Sequence, residues 1–182
     1  MSRILRGALW VVATLAVAAA VHVASVQALP HLIMGRAMAG IARSAGGVNR
    51  LGFAHRPDAT SRGVVRPSPD LLYASCVYDL DAAGGAVWVQ AHDMPHTYWS
   101  VSLFDADTNN FYVLNDRQAK KDGVDFVIVA PGGKARAAGR AAVVAPTRRG
   151  LVLFRVLIDD EAKLKQIDAA RRHASCEPDR AG

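Results

Sequence analysis

From Ala8 to Leu29 the chain carries no Asp, Glu, Lys or Arg, and its only polar side chains there are Thr14, His22, Ser25 and Gln27. Crossing the hydrocarbon core of a bilayer takes about 20 apolar residues in a helix, and this run is long enough. A helix is the form expected, because in lipid each backbone amide must find its partner within the segment. Arg3 and Arg6 precede the run, which predicts a cytoplasmic N-terminus and a translocated remainder. Arg36, Arg43 and Arg50 follow it and soften that asymmetry, so the orientation rests on the short basic leader. Val26-Gln27-Ala28 also places small residues at −3 and −1 of a cleavage point, so cleavage after Ala28 stays open as the alternative to a retained anchor. The run exceeds the usual length of a signal-peptide core, which favours retention.

The remaining chain has room for one domain. With 182 residues in all, two comfortable cores do not fit. The net charge of +6 is spread thinly, with Lys120-Lys121, Arg148-Arg149 and Arg171-Arg172 as the only tight basic pairs. That pattern lacks the concentrated basic element interleaved with aromatics that nucleic-acid binding uses, and it suits a surface close to anionic lipid. The two cysteines, Cys76 and Cys176, form a disulfide candidate if the domain sits in an oxidising compartment.

We divide the chain into an anchor over 1–30, a juxtamembrane helix and connector over 31–63, and a β-rich domain with a C-terminal helix over 64–182. Between His31 and Ser44 the apolar residues fall near helical spacing. This segment reads either as an interfacial helix continuing the anchor or as a helix packed on the domain. Gly46-Gly47 ends it. From Val64 onward the period changes from that of a helix to two. Leu72, Ala74, Cys76, Tyr78 and Leu80 share one face of a strand, and runs at 86–91, 98–104, 110–114, 125–130, 140–145 and 151–158 follow between turn residues. The expected fold is mainly β, an antiparallel sandwich or barrel-like domain with an N-terminal transmembrane helix. Asp159-Asp160-Glu161 opens a closing helix, and Arg171, Arg172 and His173 suit its C-terminal end.

No nucleophile elbow, P-loop, dinucleotide fingerprint or Cys-x-x-Cys pair occurs, and neither a cofactor nor a catalytic residue is assigned. His92 and His96 sit around Pro95 in a loop, where their spacing does not aim them at one metal. Asp105, Asp107 and Asn109 have the alternation of a calcium loop, but position six is Asn110 rather than Gly and position twelve is Asp116 rather than Glu. A hairpin turn is the ordinary use of such residues. Arg66, Asp70 and Tyr73 cluster at the start of a strand, with Asp105, Asn109, Asn115 and Arg117 beside later strand ends. They read either as structural braces or as a polar rim over an apolar cup for a small ligand.

These same residues give the chain a resemblance. Gly46-Gly47-Val48-Asn49-Arg50, Val65-Arg66-Pro67-Ser68-Pro69-Asp70-Leu71-Leu72-Tyr73, Tyr78-Asp79-Leu80, Tyr98 to Asp105, Thr108-Asn109-Asn110-Phe111 and Asn115-Asp116-Arg117 resemble the bacterial family called domain of unknown function 1254. The resemblance implies a β-rich envelope domain and transfers no reaction. Larger members append a companion domain of unknown function 1214, which implies a separately encoded companion as a partner here, beside membrane lipid. The function expected is a membrane-anchored, non-enzymatic binding or assembly module of the cell envelope. An envelope hydrolase using Arg66, Asp70, Tyr73 and Asp105 and a calcium-stabilised structural domain are the alternatives.

Overall fold

In the computed structural model, residues 2–62, 66–119, 123–135 and 139–180 are described. Val64 and Val65, where the period-two pattern begins, and the Lys120-Lys121 pair lie outside them. Helix α1 runs unbroken from Arg3 to Ala45, so the anchor and the juxtamembrane segment are one element. Ser2 caps its start by accepting the Leu5 amide, Pro30 is accommodated inside it, and Gly46 at φ 76° ends it. Through Leu29 none of its described side chains is buried. Beyond Pro30 the helix lands on protein, where Met34 and Met38 pack with Val77 and Leu151.

Nine strands follow: β1 (Leu51–Phe53), β2 (Leu71–Asp79), β3 (Ala86–Ala91), β4 (Trp99–Phe104), β5 (Asn110–Asn115), β6 (Val124–Val129), β7 (Ala141–Val144), β8 (Arg149–Leu157) and β9 (Ser175–Pro178). They form two sheets, ordered β1-β2-β8-β4-β5 and β7-β6-β3-β9. The arrangement is a sandwich and not a closed barrel. A 3-10 turn at Glu161–Lys163 leads into α2, Leu164–Arg171, with Asp160 as cap.

The alternation in the sequence builds the core directly. Leu72, Ala74, Cys76 and Tyr78 of β2 face Val87 and Val89 of β3 and Phe126 and Ile128 of β6, with Val101, Leu103, Val152, Phe154 and Val156 completing the layer. Tyr112 meets the Phe126 ring edge-on across the two sheets. Cys76 on the first sheet bonds to Cys176 on the second. The outer face of the first sheet carries Gly52, Val77 and Leu151, over which the second half of α1 lies. A Cβ on Gly52 would stand 3.0 Å from that of Ala45, so helix and strand are in close contact.

Three features depart from the sequence reading. The sandwich reaches back to Leu51, because β1 pairs antiparallel with β2, ahead of the boundary at 64. One pair is parallel, β6 with β7, where antiparallel neighbours were expected. Finally, beyond the closing helix, where no strand was expected, lies β9, paired with β3. With four residues and one inward side chain, β9 has too short a pattern to be read as a strand.

The Cys76–Cys176 bond closes a separation of 100 residues between the layers. Replacing both cysteines by serine is expected to cost up to about 4.7 kcal/mol by the loop-entropy model. Urea denaturation of the oxidised and doubly substituted proteins measures this; equal midpoints would show the bond to be incidental to the packing.

Candidate functional site

The two ends of the sandwich differ, and the strand directions place every candidate residue at one or the other. At the end where β2 and β4 finish and β8 begins, the chain is densely tied. Asp105 is 4% exposed; its carboxylate accepts the backbone amides of Asp107 at 2.9 Å and Asn109 at 2.8 Å and the Asn109 side-chain amide at 2.9 Å. The turn is thus closed by its own donors, which hold Thr108 at φ 70°. This is how Asp and Asn serve tight turns, and it occupies the oxygens that a cation would need. Next to it, Tyr78 is fully buried and donates to the Phe104 carbonyl at 3.4 Å. Gly150 makes this possible: a Cβ there would lie 2.2 Å from the Phe104 oxygen and 2.3 Å from the Tyr78 oxygen.

The motif at 46–50 also acts at this end. Gly46 and Gly47, at φ 76° and 142°, turn the chain off α1. Asn49, 6% exposed, then bonds both backbone groups of Asp79 at 2.8 and 2.9 Å. A side-chain amide here substitutes for a strand neighbour, which fixes α1 to β2.

At the opposite end β3, β5 and β8 finish and β4 and β6 begin. Here the layers part around a cleft of about 1110 Å³. Trp99 and Ile167 form its apolar floor, and both are buried. Tyr98, Met94 and Pro95 lie at its margin with Ala170 of α2, and the charged groups are Asp93, Asp116, Asp159, Arg117 and Lys163, with His96. Asp93 is held at φ 53°, and the buried Thr97 hydroxyl has no hydrogen-bond partner among the described residues. Backbone strain and an unsatisfied polar atom beside a concave apolar surface are features of ligand-binding sites.

The seven rim residues do not converge on one cup. Asp105 and Asn109 sit at the end where α1 arrives. Of the others only Arg117 lines the cleft, while Asn115 caps the adjoining turn by accepting the amides of Arg117 and Gln118. Tyr73 faces outward, and its oxygen accepts the Ser68 amide at 3.0 Å, which shapes the entry to β2. Arg66 and Asp70 are exposed. The arginine that braces this entry is Arg56, which donates to the Pro69 carbonyl and forks onto Glu161 at 2.6 and 2.9 Å. His96 lines the cleft, and His92 contacts Gln90 instead.

A second arginine also went unrecognised in the sequence. Arg171 suits the end of a helix dipole, yet it is 2% exposed and donates to the carbonyls of Ala54 at 3.1 Å and Tyr73 at 2.6 Å, with Asp168 as its ion partner. Burial draws its pKa down and the Asp168 carboxylate opposes that. The hydrophobic pattern of α2, with Ile167 buried, carries no sign that an arginine lies on the same inward face.

A family model described as "Protein of unknown function (DUF1254)" matches residues 48–178. The chain belongs to this family. No curated protein matches it. The DUF1254 fold recurs in the crystal structure of the VPA0106 protein from Vibrio parahaemolyticus, at 15% identity and a TM-score of 0.58 over 82% of this chain and 37% of that one. An uncharacterised protein from Burkholderia cenocepacia is similar at 19% identity and a TM-score of 0.45, over 64% of this chain and 33% of that one. The chain therefore spans about a third of the length of these structures.

Burial pushes the Tyr78 hydroxyl up to about 12, with the Asp105 charge adding to the rise and Thr147 opposing it. Since the folded value lies above the unfolded one, this tyrosine contributes stability that is complete below about pH 10 and is lost as pH rises through 12. Ultraviolet titration of tyrosinate should show a late step that Tyr78→Phe removes; a late step unchanged in that variant would assign it to another tyrosine.

Proposed function

We propose that the chain is a membrane-anchored, non-enzymatic module of the cell envelope, held by α1, whose cleft receives a companion protein. The observation that carries this reading is the polarity of the domain: α1 docks on Val77 and Leu151 at one end of the sandwich, and the cleft opens at the other. A span fixed to one end presents the far end to whatever lies beyond the membrane surface. The exposed apolar stretch from Ala8 to Leu29 supports the anchor. The Cys76–Cys176 bond supports an oxidising compartment, and Arg3 and Arg6 support a cytoplasmic N-terminus.

Binding rather than turnover is favoured by how the cleft's charged groups are held. Among the described residues, Asp93, His96 and Asp116 form no hydrogen bond with one another, so no nucleophile is paired with a base. Arg117 and Lys163 beside Asp116 and Asp159 give the apolar floor a mixed rim, the chemistry that a protein surface of both signs would meet.

The test uses the full-length chain in its own envelope. Membranes washed with alkaline carbonate should retain it, protease added outside spheroplasts should remove the domain, and its thiols should label only after reduction. A photo-crosslinking residue at position 117 should capture a single envelope protein, and Ala170→Trp, which fills the cleft, should abolish that adduct. A soluble, carbonate-released product would establish cleavage after Ala28 in place of the anchor. Absence of any adduct at 117, with the chain correctly placed, would overturn the binding role.

A further inference from the structure

The apolar span is not uniform around its circumference. Thr14, His22 and Ser25 fall at intervals of eight and three residues, close to whole turns of a helix, and so share one face with Ala18 between them. Continuing the same register past Pro30 brings Leu32, Arg36 and Arg43 onto that face. The residues that dock on the sandwich, Met34, Met38, Ile41 and Ala42, occupy the opposite side. The face with His22 and the arginines is therefore turned away from the domain, and Leu32, Arg36 and Arg43 are exposed.

Two separate demands meet on this face. An imidazole within the hydrocarbon depth always offers a ring N–H donor and, when neutral, a ring nitrogen acceptor, and lipid tails satisfy neither. Thr14 and Ser25 can return their hydroxyls to carbonyls one turn back in their own helix, whereas the ring of His22 has no such local route. Outside the core, Arg36 and Arg43 stand on a helix with no acidic residue anywhere along it, since the first Asp or Glu of the chain is Asp58. Among the described residues Arg43 donates only to the carbonyl of its own helix neighbour Ala39. Pairing this face with a second copy of itself in parallel would set Arg36 against Arg36 and Arg43 against Arg43.

We infer that this face of α1 binds a different membrane-spanning helix, one with a hydrogen-bonding side chain at the depth of His22 and acidic residues just beyond its outer end, facing Arg36 and Arg43. The two halves of the contact reinforce each other. The polar pair inside the bilayer sets the depth, and the ion pairs outside it set the orientation. A lipid headgroup could meet the arginines, but it leaves His22 unanswered, so a protein helix accounts for more of the face.

This inference rests on the anchor proposed above, and the experiment separates the two. The full-length chain, labelled near the sandwich, is reconstituted in phosphatidylcholine vesicles with labelled synthetic Leu/Ala spans. The spans differ only in carrying Asn or Leu at midspan and two Asp or two Lys at the outer flank, and energy transfer reports association. The Asn, Asp-flanked span is expected to bind best, and His22→Leu to weaken it about threefold, the scale of one interhelical hydrogen bond. The double variant Arg36→Glu, Arg43→Glu should reverse the flank preference, favouring the Lys-flanked span. Equal transfer with all four spans overturns the inference, as does transfer between differently labelled copies of the chain that exceeds transfer to every span. A charge swap that alters binding to anionic vesicles and leaves the flank preference unchanged assigns the arginines to lipid and equally overturns it. A chain that fails to float with the vesicles defeats the anchor itself, a distinct result from floating without discrimination.

Discussion

The sandwich depends on holding two sheets face to face while a long helix is attached to only one of them. The contact that meets this demand is the Cys76–Cys176 bond, which joins the second strand of the first sheet to the edge strand of the other. Around it the small inward residues Ala74, Ala91 and Ala174 let the layers approach, and the larger Phe126 and Phe154 fill the space on either side. Arg171 ties α2 to the carbonyls of Ala54 and Tyr73, so the closing helix is fixed to the first sheet by hydrogen bonds as well as by Ile167. Remove the crosslink and the sheets retain a common apolar face; remove the face and there is nothing for the crosslink to align.

Much of this architecture was legible because it follows from patterns of period two. All seven runs read as strands are strands, and the long apolar helix, the disulfide and the closing helix stand where the residues put them. What escaped was encoded in single residues or in contacts remote along the chain. Strand β1 is three residues of Leu-Gly-Phe, and it is recognisable only once Asn49 is seen to hold the chain beside Asp79. Arg171 looks like any basic residue at a helix end, and its burial is created by the carbonyls that β1 and β2 leave beyond their last pair. The parallel placement of β7 beside β6 depends on the path of a loop and not on either strand's own pattern.

The polar candidates show the same distinction at the level of a site. A cluster in sequence, Arg66 to Tyr73, became the entry to a strand, shaped by a hydroxyl bond to Ser68 and a brace from Arg56. Residues far apart in sequence, Met94 to Trp99, Asp116-Arg117 and the face of α2, formed the cleft instead. Strand direction decided between them: in an antiparallel stack, residues at successive strand starts alternate between ends. Asp105 and Arg117 were thereby separated by the whole length of the sandwich, although both follow a strand. Only knowledge of the pairing could sort them.

The placement of Cys176 on β9 also has a temporal meaning in the proposed topology, where the N-terminus stays behind and the domain follows α1 across in chain order. Cys76 emerges with β2, and its partner follows only after β3 through β8 and α2 have emerged, 100 residues later. During that interval Cys76 belongs to a nascent layer without its counterpart, and its thiol is open to exchange with the oxidants and isomerases outside. The covalent closure therefore acts as a completion mark. A chain halted before β9 carries a free Cys76 thiol that the finished molecule does not.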